Sequence, residues 1–439
     1  MKTLIVSINS KYIHSSLAAW YLKESLENSK WNVSVLETTV NDDNDRILSS
    51  IFNEKADLIA FSCYIWNIDI VLATAENLKK ILPECVIILG GPEVSYDAEK
   101  ILQLRPFIDC VIMGEGEVLF GKAVEYYAGL NNDLEHESAV AFRKDGIIVN
   151  LGYALISSRS FDFIKSPYTE EMLLSLNGRI VYYESSRGCP FSCAYCLSSS
   201  FKGVRYFSLS RVKSDLTILI NAGVKQIKFV DRTFNADNKR ALDIINFVLE
   251  NCGRASFHFE VAGDLFNDDL LDKLSNVPTG LIQFEIGVQS TNIQTLEESA
   301  RKTDVAKVLR NAAKLIGYGN MHIHMDLIAG LPYETLEIFK KSFNDVYSVR
   351  PHMLQLGFLK FLKGSAISSA QVVQKHEYKY RETPPYEFLS NTYLSYEDAL
   401  HLKNIEEILD RYYNSGNFQS TLEFLITYYY ETPYVLQGT

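Results

Sequence analysis

The sequence predicts an α/β chain: an N-terminal doubly wound parallel sheet, then a partial (β/α)6 barrel, then a helical C-terminal region. Three observations carry this. Short apolar runs alternate with amphipathic stretches over residues 1–135, and the same rhythm restarts near residue 179 and recurs about six times. Residues 395–430 instead place apolar side chains at helical spacing. The expected divisions are therefore 1–135, a linker at 136–175, a second domain at 176–365 and a helical domain at 366–439. At 439 residues, the chain is long enough for two or three substantial cores.

In the first domain, residues 3–8, 33–36, 57–62, 86–89 and 109–113 read as strands. Helices fall between them over 16–27, 46–53 and the stretch before 86, and another starts near Glu117. Ligands of such a sheet sit beyond the carboxyl ends of its strands. Four polar or glycine-rich clusters gather there: Asn9 to His14 with Tyr12, Ser62 to Asn67 with Trp66, Gly90-Gly91-Pro92-Glu93, and Gly114-Glu115-Gly116-Glu117. Each alone reads as an ordinary turn; Gly90 and Gly91 would let backbone approach a bulky ligand. Residues 138–149 carry a hairpin signal around Lys144-Asp145-Gly146, and the polar stretch after it suits a linker.

The second domain opens on Glu184-Ser-Ser-Arg-Gly-Cys-Pro-Phe-Ser-Cys-Ala-Tyr-Cys196, after a β-branched run. Cys189, Cys193 and Cys196 present three soft ligands in one tight turn, one short of the usual tetrahedral zinc set. The set suits an iron–sulfur cluster with one iron open. Spacing alone also leaves a zinc loop completed by Cys252 or His258, or ordinary buried thiols. Strands are predicted at 226–230, 256–261, 281–286, 322–328 and 353–358, with helices between. Chemistry in such a barrel sits at the carboxyl ends. His322 and His324 alternate along one strand face, which makes them interior or substrate-side residues, not metal ligands. In the tail, Ser395 and Asp398 mark a helix start, Gly416 its end, and 418–430 a further helix; a cap over the barrel mouth is the simplest reading.

The motif Cys189-x-x-x-Cys193-x-Tyr195-Cys196 resembles the signature of the radical S-adenosylmethionine (SAM) enzymes. The resemblance implies a 4Fe–4S cluster on the three cysteines, with SAM bound at its open iron and cleaved to methionine and a 5′-deoxyadenosyl radical. Tyr195 would lie by the adenine. Later residues resemble the SAM-binding pattern of coproporphyrinogen-dehydrogenase-like members: Asp231, Glu260, Gln289 in Gly-Val-Gln-Ser, Arg301, and Asp326 in Met-Asp-Leu-Ile-Ala-Gly-Leu-Pro. Carried over, Arg301 pairs with the SAM carboxylate, Gln289 and Asp326 bind ribose hydroxyls, Glu260 holds the methionyl or ribose end, and Asp231 sits where the amino group binds.

The first domain's Gly-Gly-Pro-Glu-Val-Ser95 and Gly-Glu-Gly-Glu117 stretches resemble the cobalamin-binding domain fused to many radical SAM enzymes. The Asp-x-His-x-x-Gly loop that supplies histidine to cobalt is missing. That departure implies base-off cobalamin with no protein histidine on cobalt, and His14 as a loop or tail contact. The tail resembles an uncharacterised C-terminal domain of some such proteins.

Together these imply a cobalamin-dependent radical SAM enzyme, foremost a methyltransferase acting on an unactivated carbon. The alternatives are a cobalamin-using rearrangement or ring contraction, and a non-catalytic iron–sulfur or cobalamin sensor. A small-molecule or peptide substrate and an electron donor such as flavodoxin or ferredoxin are the expected partners. The net charge of −11 argues against a nucleic-acid partner, and no run approaches a membrane span. The start of the chain is too polar for a signal peptide, and seven cysteines, three of them clustered, fit a reducing cytoplasm. Cys63, Cys85 and Cys110 lie in apolar strand-like runs and read as core residues.

Overall fold

The computed structural model describes residues 1–26, 31–153, 161–200, 203–430 and 432–437. It comprises two compact units: Met1–Tyr182 with Ser214–Val224, and Tyr183–Lys213 with Lys225–Thr439.

The first unit is built on a seven-stranded sheet: β1 (Lys2–Asn9), β2 (Asn32–Thr39), β3 (Leu58–Ser62), β4 (Val86–Gly90), β5 (Cys110–Ile112), β6 (Val140–Lys144) and β7 (Ile147–Asn150). Its order is β2-β1-β3-β4-β5-β6-β7, parallel through β5, which is the doubly wound arrangement expected. Continuous apolar strands such as β1 and β3 are buried because helices cover both faces of a parallel sheet. The helix Leu17–Ser25 starts where the Ser16 side chain accepts from the Ala19 amide. The predicted end of this helix at Glu27 lies outside the described residues. Cys63, Cys85 and Cys110 are buried in this core.

The linker expectation at 136–175 is corrected. β6 pairs antiparallel with β5, and β7 with β6, so the hairpin extends the first sheet. Phe161, Tyr168 and Met172 are buried as well. Hairpin residues read as linker because two short strands have no core until a third strand edge receives them. Residues 154–160 of that linker lie outside the described residues.

The second unit begins within β8 (Val181–Tyr183), followed by β9 (Ser186–Cys189), β10 (Gly203–Tyr206), β11 (Gln226–Phe229), β12 (Ser256–Val261), β13 (Ile282–Gln289), β14 (His322–Ala329) and β15 (Met353–Phe358). A six-stranded sheet runs β8-β11-β12-β13-β14-β15 in sequential order, as a partial barrel requires. Along β13, Phe284, Ile286 and Val288 are buried, while Glu285, Gly287 and Gln289 alternate with them and line a cavity. β9, which ends on Cys189, pairs antiparallel with β10, so the two strands flank the cysteine loop. Gly188 has φ +94° there, and a Cβ would stand 2.2 Å from the Gly203 carbonyl oxygen.

The tail carries the predicted capping box: Ser395 and Asp398 bond each other's backbone amides ahead of the helix Tyr396–Ile408. That helix passes into a π-turn at Leu409–Asn414, where the Asn414 side chain bonds the backbone of Leu354. The tail also contains a small sheet the sequence reading missed, β16 (Lys379–Tyr380) with β17 (Phe388–Ser390). Among the described residues no helix is long and apolar enough to cross a membrane.

Candidate functional site

Three thiols and a tyrosine from one stretch meet three side chains at the carboxyl ends of barrel strands and an arginine that follows the helix Ile293–Glu298. Cys189, Cys193 and Cys196 line a cavity together with Tyr195, Glu260, Gln289, Arg301 and Asp326. Cys189, Cys193 and Cys196 are free thiols, and no disulfide joins any of the described cysteines. Cys189 Sγ lies 3.4 Å from Thr233 Oγ1, and burial pushes its thiol up. Neither Cys252 nor His258 lines the cavity; the His258 ring bonds Glu285 Oε2 at 3.0 Å instead.

Arg301 is the hub. Its Nη1 donates to Tyr195 Oη at 3.3 Å and approaches Cys193 Sγ at 3.7 Å, while Nη2 donates to the Gly287 carbonyl. Gly287 makes room for Gln289: a Cβ there would lie 2.2 Å from Gln289 Nε2. Gln289 itself sits at φ +74°, where the register between β13 and β14 slips.

The carboxylates differ sharply in charge. Burial pushes Glu260 up to about 7, against the pull of Arg232, whose Nη1 is 3.9 Å away. Burial would also raise Glu285, but the His258 hydrogen bond and the Lys228 and His324 charges outweigh it and bring it to about 2. Burial raises Asp326 too, although His324 Nε2 stands 2.9 Å from Asp326 Oδ1. That pair is at ion-pair distance without hydrogen-bond alignment, so both atoms lack a hydrogen-bond partner. Glu285, His324 and Asp326 could each offer a cation one ligand atom, all within 4.8 Å of one another. Lys228 Nζ at 3.1 Å from Glu285 already supplies positive charge, so the group is better described as a charge network.

One of the expected site residues turns its side chain away from the cavity. Asp231 is buried, and its oxygens accept from the Ser185 and Ser186 amides at 2.7 and 3.1 Å and from the Ser185 hydroxyl. It does not line the cavity. A carboxylate at a strand end had two outlets, ligand or neighbouring backbone, and the backbone took it. The sequence reading missed Glu285 and Lys228 and weighed His258 only as a zinc ligand; the period-2 alternation of β11 to β13 was the available signal.

Orphaned polar atoms test whether a ligand fits. Gln289 Oε1, Arg301 Nε and Asp326 Oδ1 are buried without hydrogen-bond partners. A buried polar group without a partner is costly, so a ligand rich in donors and acceptors suits this cavity.

In the first unit, adjacency of β1, β3, β4 and β5 sets the four predicted clusters side by side. Tyr12 and Trp66 are exposed, with Trp66 stacked on Tyr64 at 4.5 Å and its indole N–H on the Ile8 carbonyl. Ser62 Oγ bonds Ser7 Oγ at 3.2 Å. Gly90 ends β4; Gly91 has φ +111°, and a Cβ there would stand 2.5 Å from the Cys63 carbonyl oxygen. Glu93 is buried, whereas Gly114 and Glu115 are half-buried. His14 Nδ1 meets Tyr182 Oη at 2.6 Å, and the two rings stack. A cavity of about 590 Å³ that the sequence reading did not foresee lies beside this edge, lined by Ser95, Tyr96, Asn150 and Tyr153.

Family comparisons divide the chain in the same order. Residues 3–124 match the B12 binding domain, 183–346 the radical SAM superfamily, and 374–437 a family described as a protein of unknown function (DUF4080). The chain is similar to the cobalamin-dependent radical SAM methyltransferase TokK of Streptomyces tokunonensis, 24% identical over 73% of this chain and 49% of that protein. It is 25% identical to the hopanoid C-3 methylase of Methylococcus capsulatus, over 65% of this chain and 55% of that one. The chain thus spans about half the length of the curated relatives it matches. A similar fold is seen in the radical SAM methyltransferase TsrM of Kitasatospora setae, solved with cobalamin and a [4Fe-4S] cluster bound. Its TM-score is 0.72 at 14% identity, covering 88% of this chain and 78% of that one.

Proposed function

From a chain that carries a B12 binding domain ahead of a radical SAM domain, we infer a cobalamin-dependent radical SAM enzyme, a methyltransferase acting on an unactivated carbon. The observation that carries this reading is one cavity holding three free thiols and three orphaned polar side chains. Cys189, Cys193 and Cys196 would hold a 4Fe–4S cluster. Arg301 would bind the SAM carboxylate with the face that Tyr195 and Gly287 leave free. Gln289 and Asp326 would take ribose hydroxyls, and Glu260 the methionyl or ribose end. Bound, the cluster would supply an electron to SAM, and cobalamin would carry the methyl group.

The chain's own share is orientation and exclusion of water. Arg301 is fixed by Tyr195 and the Gly287 carbonyl before any ligand arrives, so little of its side-chain freedom is lost on binding. Tyr12, Ser62, Trp66, Gly90, Gly91, Glu93, Gly114 and Glu115 would line the cobalamin edge. Cobalamin would sit base-off with no protein histidine on cobalt, because His14 is committed to Tyr182. The names of the relatives, two of them methylating enzymes, support the reaction class. A small-molecule or peptide substrate and a flavodoxin- or ferredoxin-like donor complete the proposal.

Anaerobic reconstitution with SAM, followed by mass spectrometry with cobalamin supplied and withheld, tests it. Methyl transfer yields S-adenosylhomocysteine and 5′-deoxyadenosine, both lost in Cys193→Ala. 5′-Deoxyadenosine without S-adenosylhomocysteine would point to rearrangement, and neither product to a sensor.

A further inference from the structure

The segment 366–394 of the tail touches each of the three chain pieces that bring Cys193 and Cys196, Arg301 and Asp326 to the cavity. Ala194, between the second and third cysteines, is held on both sides. Its N–H donates to the Ser299 carbonyl at 2.8 Å, and its carbonyl accepts from the Ile367 N–H at 2.9 Å. Ser299 follows the helix Ile293–Glu298, and Ala300 at φ +52° turns the chain so that Arg301 N–H reaches the Leu296 carbonyl at 2.8 Å. This short turn therefore aims the guanidinium.

The turn is fastened to the tail through Glu298. Its Oε1 meets His376 Nε2 at 3.0 Å and also takes the Lys375 ammonium. His376 is fully buried, and its Nδ1 lies 3.0 Å from Tyr393 Oη. A third hold falls four residues beyond Asp326. The Gly330 carbonyl accepts from Tyr378 Oη at 3.0 Å and Asn391 Nδ2 at 3.2 Å. Gly330 has φ +95° with the Phe388 ring 2.8 Å from where a Cβ would be, so backbone and tail meet without space.

We propose that residues 366–394 form a clasp that sets the cysteine loop and Arg301 in register, with His376 its positioning residue acting through Glu298. The proposal rests on the reading of the cavity as a SAM site beside a cluster. Packing alone would need no buried imidazole aimed at a carboxylate; such a contact fixes direction, because it is strong only when aligned.

Hydrogen exchange on the full-length protein as purified, without SAM, tests the clasp directly. In His376→Ala, amides of 193–196 and 299–301 should exchange on the order of tenfold faster, with the amides of β11 to β15 unchanged. His376→Gln, which keeps an N–H for Glu298, should recover most of the protection. With the cluster rebuilt, His376→Ala should bind SAM on the order of tenfold more weakly, with a smaller SAM-induced shift in the reduced cluster's paramagnetic resonance. Unchanged exchange in both segments, a uniform rise across the second unit, or unchanged SAM affinity would each overturn the clasp. If wild-type protein binds no SAM, the functional reading fails, while the exchange result still decides whether the tail holds the loop.

Discussion

Replacing Glu334 with Gln removes an ionisable proton from a carboxyl that no solvent reaches. Glu334 is 0% exposed, accepts from Ser290 Oγ at 2.6 Å through Oε1, and leaves Oε2 without a hydrogen-bond partner. Burial pushes its carboxyl from 4.5 up to about 8, outweighing the Ser290 and Ser342 hydroxyls. Between those two values the folded protein holds a proton that the unfolded chain has released. The stability this contributes is full below pH 4.5 and is lost as pH rises through about 8. At about 1.4 kcal/mol per pKa unit, going from about pH 5 to about pH 8 removes about 3 to 4 kcal/mol. Gln keeps the shape and the acceptor for Ser290 but has nothing to ionise. Paired unfolding of wild type and Glu334→Gln across that range should therefore show near-equal stability at the acid end and a clear advantage for the variant at the alkaline end. A difference between the two proteins that does not change with pH would refute the reasoning. Ser290 directly follows Gln289, so the same carboxyl anchors one wall of the cavity to the helix Leu336–Ser348.

Arg301→Lys keeps the charge but loses the planar fork that reaches Tyr195 and Gly287 together; SAM affinity measured calorimetrically on reconstituted protein should fall on the order of ten- to a hundredfold. For Glu260, the charged form prevails above its value of about 7, so affinity for the cationic sulfonium should rise severalfold from about pH 6 to about pH 8. The same titration in Glu260→Gln should be flat. Gly91→Ala would force a Cβ against the Cys63 carbonyl at a φ of +111°, costing on the order of 2–4 kcal/mol. Its first unit should melt several degrees lower and retain less cobalamin, read by absorbance after gel filtration.

Most of the framework was legible because periodicity is a local property. The five parallel strands of the first sheet and the six of the barrel announce themselves as short apolar runs between amphipathic stretches, whatever surrounds them. The cysteine loop was equally plain, since three ligands within eight residues need no tertiary contact to be noticed. The hairpin at 140–150 was visible too, but only the edge of β5 decided that it belongs to a sheet and not to a linker.

What the sequence determined by itself is thus the order of elements, the residue types at the strand ends and the thiol triplet. What only tertiary structure decided is where each polar group spends its hydrogen bonds. Asp231 and Asp326 look alike in the chain, yet one is consumed by the Ser185 and Ser186 amides and the other keeps an orphaned oxygen. His376 lies 78 residues from Glu298 and is recognisable as its partner only once folded. The physical reason is that side-chain direction follows from local backbone, whereas the competition for each donor and acceptor is settled by whichever distant segment packs against it.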